Sequence, residues 1–170
     1  KIQSFSKEIL QKRLKELSYL NKKVKLILND QRDNTTKTFY TEGGVSEYIE
    51  HINKDEDKIH DEIIYIEKSI PGDDGDILVE VAMQYTTSDK IRILSFCNNI
   101  KTYEGGTHEQ GFDLAVTKIV NRYIEQKKLT KKEDDKLLKE DVKEGLTAII
   151  SIKHSEPEFE GQTKTKLGNG

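Results

Sequence analysis

The chain has 170 residues, enough for one ordinary domain that buries about two-thirds of its unfolded surface. Apolar residues make up 34% and charged residues 35%, and no apolar run approaches the roughly 18 residues of a spanning helix, which excludes a helical membrane protein. The 28 basic and 31 acidic residues nearly cancel, to a net charge of -3; with periodic Ile, Leu and Val, this argues against general disorder and against a basic nucleic-acid module.

Ser6 to Leu20 is predicted as a helix, with Ile9, Leu10, Leu14, Leu17 and Leu20 at helical spacing and Glu8 four residues before Lys12. Val24, Leu26 and Leu28 alternate with other residues as in a strand. After a polar turn at Asp30 to Asn34, the Thr-rich run Thr35 to Thr41 reads as the returning arm of a hairpin. Gly43-Gly44 breaks the backbone, and Val45, Tyr48, Ile49 and Ile52 then form the apolar stripe of a short helix. Asn53 to Glu62 is polar and loop-like.

Three strands are expected next, as a meander: Ile63 to Ile70, Ile77 to Tyr85 and Ile91 to Cys97. Pro71 to Asp76 and Thr86 to Lys90 are their turns. A long helix follows over about Thr107 to Lys128, with Phe112, Ala115, Val116, Ile119, Val120 and Tyr123 on one side. Residues 125 to 144 carry seven acidic and seven lysine side chains, as a solvated and partly helical insertion does. Leu146 to His154 is the last strand. Together these elements give an α+β fold: a two-layer sandwich with helices on one face of a mostly antiparallel sheet, and a long helix crossing over before the final strand. A crossover between parallel strands is right-handed by default.

Little conventional catalytic chemistry is legible. His51, His60, His108 and His154 are scattered, and Cys97 is the single cysteine, so neither a zinc site nor an internal disulfide is expected. Asp73, Asp74 and Asp76 resemble a calcium loop without its spacing, and a hairpin turn is the simpler reading. Only two segments stand out. Asn98 to Phe112 joins a strand to a helix through Gly105-Gly106; Thr107 is a candidate N-cap and Gln110 its capping-box partner. A glycine-preceded helix N-terminus can bind an anion, although a tight joint without ligand is the blander alternative. Glu160 to Gly168 is a short polar loop with two lysines, able to extend one as a point charge to a phosphate or to serve only as surface. Lys22, Lys23 and Lys25, or Lys127, Lys128, Lys131 and Lys132, are candidate basic stripes, with a solvated face as the plainer reading.

The phrases Asn98-Asn99-Ile100, Glu104-Gly105-Gly106-Thr107-His108-Glu109, Gly111-Phe112 and Glu144-Gly145-Leu146-Thr147-Ala148 resemble the second domain of the gyrase B family, among bacterial-type type IIA topoisomerases. So does Phe159 to Gly168 with its Gln162-Thr163-Lys164. Arg13 to Leu17, Leu20-Asn21, Glu42-Gly43-Gly44 and Ile59-His60-Asp61-Glu62 agree, in the expected order. The resemblance is weakest over residues 71 to 90 and 125 to 144.

It implies a single transducer domain over residues 1 to 170, with the ribosomal protein S5 domain 2-like fold and its left-handed crossover. The non-Met start and loop-like end also suggest a piece of a longer chain, lacking the ATP-binding domain before it and the cleavage core after it. The parent would be an ATP-dependent DNA topoisomerase. ATP and Mg2+ would be bound mostly by the absent domain, with none bound to this piece alone. In the family the Gln-Thr-Lys loop reaches the γ-phosphate, which implies γ-phosphate contacts from Gln162 and Lys164 and a catalytic role for Lys164. The implied partners are a DNA duplex, the gyrase A protein and a second copy of the gyrase B protein in the ATP-closed clamp, with no membrane. The implied compartment is the bacterial cytoplasm, or a plastid-like organelle with a bacterial-type gyrase. The alternatives are the same domain of the topoisomerase IV B protein, a stand-alone α+β module binding RNA or protein, and an anion-binding enzyme built on Gly105-Gly106.

Overall fold

The computed structural model describes residues 5–72, 75–129 and 136–170. Helix α1 (Lys7–Leu20) starts at Ser6, whose hydroxyl accepts the amide of Ile9, and stops at Asn21, whose side-chain amide donates to the carbonyl of Leu17. Strands β1 (Leu26–Asp30) and β2 (Thr35–Phe39) form a separate antiparallel hairpin, and α2 (Val45–Ile52) follows. The main sheet contains β3 (Ile64–Ile70), β4 (Ile77–Tyr85), β5 (Arg92–Cys97), β6 (Ile100–Lys101) and β7 (Leu146–Lys153). Helices α3 (Thr107–Lys127) and α4 (Lys139–Lys143) lie between β6 and β7 in sequence. Among the described residues no helix is long and apolar enough to cross a membrane.

The strand order is β3-β4-β7-β5-β6, with β5 and β7 parallel and the other pairs antiparallel. The α+β class and the crossover into β7 are as expected, but the meander is not. β4 and β5 are not neighbours, because β7 lies between them. The cause is the composition of β7: seven of its eight residues are buried, so it is stabilised only where both faces and both edges are covered. The Thr86 to Lys90 segment therefore steps across the start of β7 instead of closing a hairpin. There the amide of Thr86 donates to the carbonyl of Gly145 at 2.9 Å.

Both faces of the sheet carry helices, in place of the single face expected. Leu146, Ala148 and Ile150 of β7 and Val81 of β4 pack against Phe112 and Val116 of α3 and Val142 of α4. Their sequence neighbours Ile149 and Ala82 point the other way, with Phe96, and meet Leu20 of α1 and Val45 and Ile49 of α2. Period-two alternation on two central strands thus feeds two cores. A third, smaller cluster joins Cys97, Ile152 and Leu167 at the far end of β5 and β7.

The orientation of α3 also differs from the expected stripe. Phe112, Val116 and Val120 face the sheet, whereas Ala115, Ile119 and Tyr123 are exposed. Two polar clamps turn the helix this way. Asp113 pairs with Lys143 at 2.7 Å, and the Asn121 amide makes two hydrogen bonds, of 2.8 and 2.9 Å, with the backbone of Leu137. Part of the charged insertion, residues 130–135, lies outside the described residues, as do Asp73 and Asp74 of the expected turn; so do Lys131 and Lys132 of one basic stripe. In the other stripe, Lys22 is engaged by Glu67 and by the Tyr65 hydroxyl, which holds its ammonium above its ordinary pKa range.

Candidate functional site

The two segments singled out in the sequence meet in space. After β5 the chain reverses through Asn98 and Asn99, both with positive φ (48° and 65°), a two-residue turn that Asn tolerates. This turn sets the short return strand β6, where the sequence suggests only an irregular joint. The chain then reaches Glu104-Gly105-Gly106 and enters α3. The helix N-cap is Gly106, and Thr107 is the first helical residue, without the capping box expected of Thr107 and Gln110. A main-chain group replaces the side-chain cap, because the amide of Thr107 donates to the carbonyl of Leu167 at 3.1 Å.

Leu167 belongs to the second segment. Residues 158–168 form a small β-hairpin in which Phe159 pairs antiparallel with Leu167. Glu160 donates to Lys166 at 2.8 Å, and Gly168 to Glu158 at 2.8 Å. The outer edge of the hairpin is tied to the first segment. Leu167 donates to the carbonyl of Gly105 at 3.2 Å, and Glu104 donates to that of Thr165 at 2.9 Å. The Thr165 hydroxyl also hydrogen-bonds the Glu104 carboxylate. The Leu167 side chain, 2% exposed, fills the third apolar cluster. Gly106 is required at this junction. With φ of 141°, a Cβ on it would lie 2.5 Å from the Leu167 carbonyl oxygen and 2.6 Å from its nitrogen.

The tip of the hairpin is the turn Gly161 to Lys164, closed by the Lys164 amide onto the Gly161 carbonyl. Gln162, Thr163 and Lys164 are all exposed there. The two lysines are used differently. Lys166 is held by Glu160 at 3.0 Å, whereas the Lys164 ammonium sits 5.8 Å from the centre of the Phe159 ring. A positive φ of 54° at Lys164 fixes the direction in which its side chain leaves the turn. Gln162 and Lys164, both named from sequence, therefore share one solvent-facing tip on a well-anchored base. Leu167, which supplies the anchor, is not singled out by sequence, although a lone leucine in a polar loop is the available signal. The strand-to-helix joint expected over Asn98 to Phe112 is present, with Gly105-Gly106 packed against Leu167.

Beneath the junction, burial pushes the His108 imidazole down to a pKa of about 4, so it is neutral at neutral pH. Burial likewise raises the Cys97 thiol to about 11, which leaves it a packing residue rather than a nucleophile.

A family model for DNA gyrase B matches residues 44–170. The DNA gyrase B protein of Streptococcus pneumoniae is 50% identical over 167 residues, 97% of this chain and 25% of that protein. Its Enterococcus faecalis counterpart is 51% identical over 159 residues, 92% of this chain and 24% of that protein. The chain thus spans about a quarter of the length of these relatives. Among solved structures, the 43K ATPase domain of Thermus thermophilus gyrase B in complex with an aminocoumarin matches with a TM-score of 0.82 at 30% identity, over 98% of this chain and 44% of that one. The topoisomerase IV ATP-binding domain of Francisella tularensis follows, with a TM-score of 0.79, 25% identity, and 98% and 43% coverage. A model match over most of its length, and relatives at half identity across nearly all of it, place this chain in the DNA gyrase B family.

Proposed function

We propose that residues 1–170 act as the transducer domain of the B protein of an ATP-dependent type II topoisomerase, relaying the nucleotide state to DNA strand passage. The observation that supports this is the hairpin of residues 158–168. It offers Gln162 and Lys164 to solvent while Leu167 locks its base onto the sheet and α3. The exposed tip suits a polyphosphate: an ammonium brings three donors and a full charge, and a neighbouring amide adds a neutral donor.

ATP, held mostly by a preceding domain with Mg2+, would supply the phosphoanhydride whose hydrolysis drives the cycle. Lys164 would place a preorganised positive charge where negative charge builds on the phosphoryl oxygens, and Gln162 would orient the same group. Lys164 would also distinguish the triphosphate from the diphosphate, because only one of them offers its contact. That difference in contacts is what a two-state movement of the domain requires. The partners of this reading are a DNA duplex, the gyrase A protein and a second gyrase B protein, in a bacterial cytoplasm. The gyrase assignment is favoured over topoisomerase IV by the family model and by the identities near 50%.

The test is ATP hydrolysis by the full-length gyrase B protein carrying Lys164→Ala, with nucleotide binding measured alongside. Turnover is expected to fall about 10²- to 10³-fold with binding largely retained, the scale for losing one transition-state donor. Turnover within about twofold of the parent would make Lys164 a surface lysine and this domain a scaffold.

A further inference from the structure

Under the Gly105-Gly106 turn runs a row of polar side chains that the phosphate contact itself does not use. Ser95 on β5 and Thr102 just after β6 are 2% and 3% exposed. The Ser95 hydroxyl lies 2.9 Å from Oε2 of Glu109 and 2.7 Å from the Thr102 hydroxyl, which in turn lies 3.1 Å from Nε2 of His108. Counting donors assigns the direction of the row. An ionised carboxylate only accepts, so Ser95 donates to Glu109, Thr102 to Ser95, and His108 to Thr102 through Nε2. Each proton is then used once, with the Ser95 hydroxyl taking Oε2 of Glu109 at 2.9 Å over its longer second acceptor, the Thr102 carbonyl at 3.2 Å. Nδ1 of His108, one of three buried side-chain atoms without a hydrogen-bond partner among the described residues, then carries a lone pair instead of a proton. That is the cheaper group to orphan, since an unpaired buried N–H is the rarer and costlier defect. A second proton on His108 would have no acceptor, in keeping with the depressed pKa of the ring.

The row ends against the turn that carries the hairpin. A Cβ on Gly105 would lie 2.9 Å from Oε2 of Glu109, so the carboxylate is in contact with the turn. The amide of Gly105 donates to the carbonyl of Thr102 at 3.0 Å, and the carbonyl of Gly105 receives the amide of Leu167 at 3.2 Å. Thr102 is therefore both a member of the row and an anchor of the turn, two backbone hydrogen bonds from the hairpin.

We propose that His108, Thr102, Ser95 and Glu109 form a directed hydrogen-bond row that positions the Gly105-Gly106 turn, and through Leu167 sets the aim of Lys164. They are positioning residues, not catalytic ones, and the inference rests on the reading of Lys164 as a phosphate contact. A buried polar row in which every proton has an acceptor holds its members in place, and misplacing a catalytic group by about 1 Å can cost on the order of 10²-fold in rate.

The experiment measures kcat and KM for ATP in the full-length gyrase B protein with Ser95→Ala, Thr102→Val and Thr102→Ser, each alone and combined with Lys164→Ala. Ser95→Ala and Thr102→Val are expected to lower kcat about tenfold with KM within about twofold, while Thr102→Ser, which keeps the hydroxyl, retains most turnover. In the Lys164→Ala background neither change should cost anything further, because the group they aim is gone. Turnover within about twofold of the parent for Ser95→Ala and Thr102→Val, with Lys164→Ala alone impaired, overturns the row. Equal fold-losses in both backgrounds also overturn it, since they mark general destabilisation. Where Ser95→Ala does not fold, the Val and Ser variants of Thr102 decide. Unimpaired turnover in Lys164→Ala alone overturns the underlying reading instead, and that single variant separates the two failures.

Discussion

Gly106 and Gly111 are five residues apart, yet the structure asks opposite things of them. Gly106 holds φ of 141° and has the Leu167 backbone against it, 2.5 and 2.6 Å from where a Cβ would stand. Alanine there meets backbone strain of about 1–3 kcal/mol, plus a clash that only undocking of the hairpin relieves. Gly111 lies inside α3, exposed, with nothing within 4 Å of its missing Cβ. Gly106→Ala should therefore cost about 3 kcal/mol in denaturant unfolding, whereas Gly111→Ala should gain about 0.5–1 kcal/mol through helix propensity. Equal effects would show that the close approach of Leu167 is not a constraint. The comparison isolates the junction, because both substitutions add the same single methyl group.

At the scale of elements, burial and periodicity separate what the sequence made legible from what it did not. Helices α1 and α2, the β1–β2 hairpin and every strand but the short β6 follow from local patterns: leucines at helical spacing in α1, alternation through Ile77 to Tyr85, Asp and Asn at turns. Strand order is not a local property. Alternation identifies a strand without naming its neighbours, and the deciding feature is the run Leu146 to Ile152, buried on both faces, which claims the middle of the sheet. Similarly, the apolar residues of α3 outnumber those its sheet contact needs, so the stripe is ambiguous until Asp113 and Asn121 meet Lys143 and Leu137. The site shows the same division. Gln162, Lys164 and Gly105-Gly106 are recognisable as motifs, but the hydrogen bonds that join them through Leu167 connect segments far apart in sequence and have no local signature. Paired substitutions test this account. Ile150→Ala, at 1% exposure in the α3-side core, should cost about 2–5 kcal/mol, and Ile119→Ala, 67% exposed, less than about 0.5 kcal/mol. The reverse order in thermal or urea unfolding would mean that α3 is rotated toward the stripe first expected.

For the whole molecule, the consequence of this architecture is stiffness between the hairpin and the sheet. The hairpin hangs from Gly105 and Thr107, Thr107 opens α3, and α3 rests on β4 and β7 through Phe112 and Val116. On the other side of the sheet, β7 is packed through Ile149 against the cluster that holds α1 and α2. A contact at the tip thus reaches both helical layers through close-packed groups, and such a body moves as a unit more readily than it bends. If Gln162 and Lys164 engage the terminal phosphate, the response should be a swing of the whole domain with its interior unchanged. Hydrogen exchange on the full-length gyrase B protein, with and without a non-hydrolysable ATP analogue, reads this directly. Added protection should appear at residues 161–165, while the amides of Thr107 and Leu167 and those of β4, β5 and β7 keep their rates. Ligand-dependent change spread through β7 and α3 would mean that the signal travels by internal rearrangement, and the domain would then be a deformable spring in place of a rigid lever. The packing favours the lever: β7 is enclosed by two cores at once, and loosening either would expose the other's shared strand.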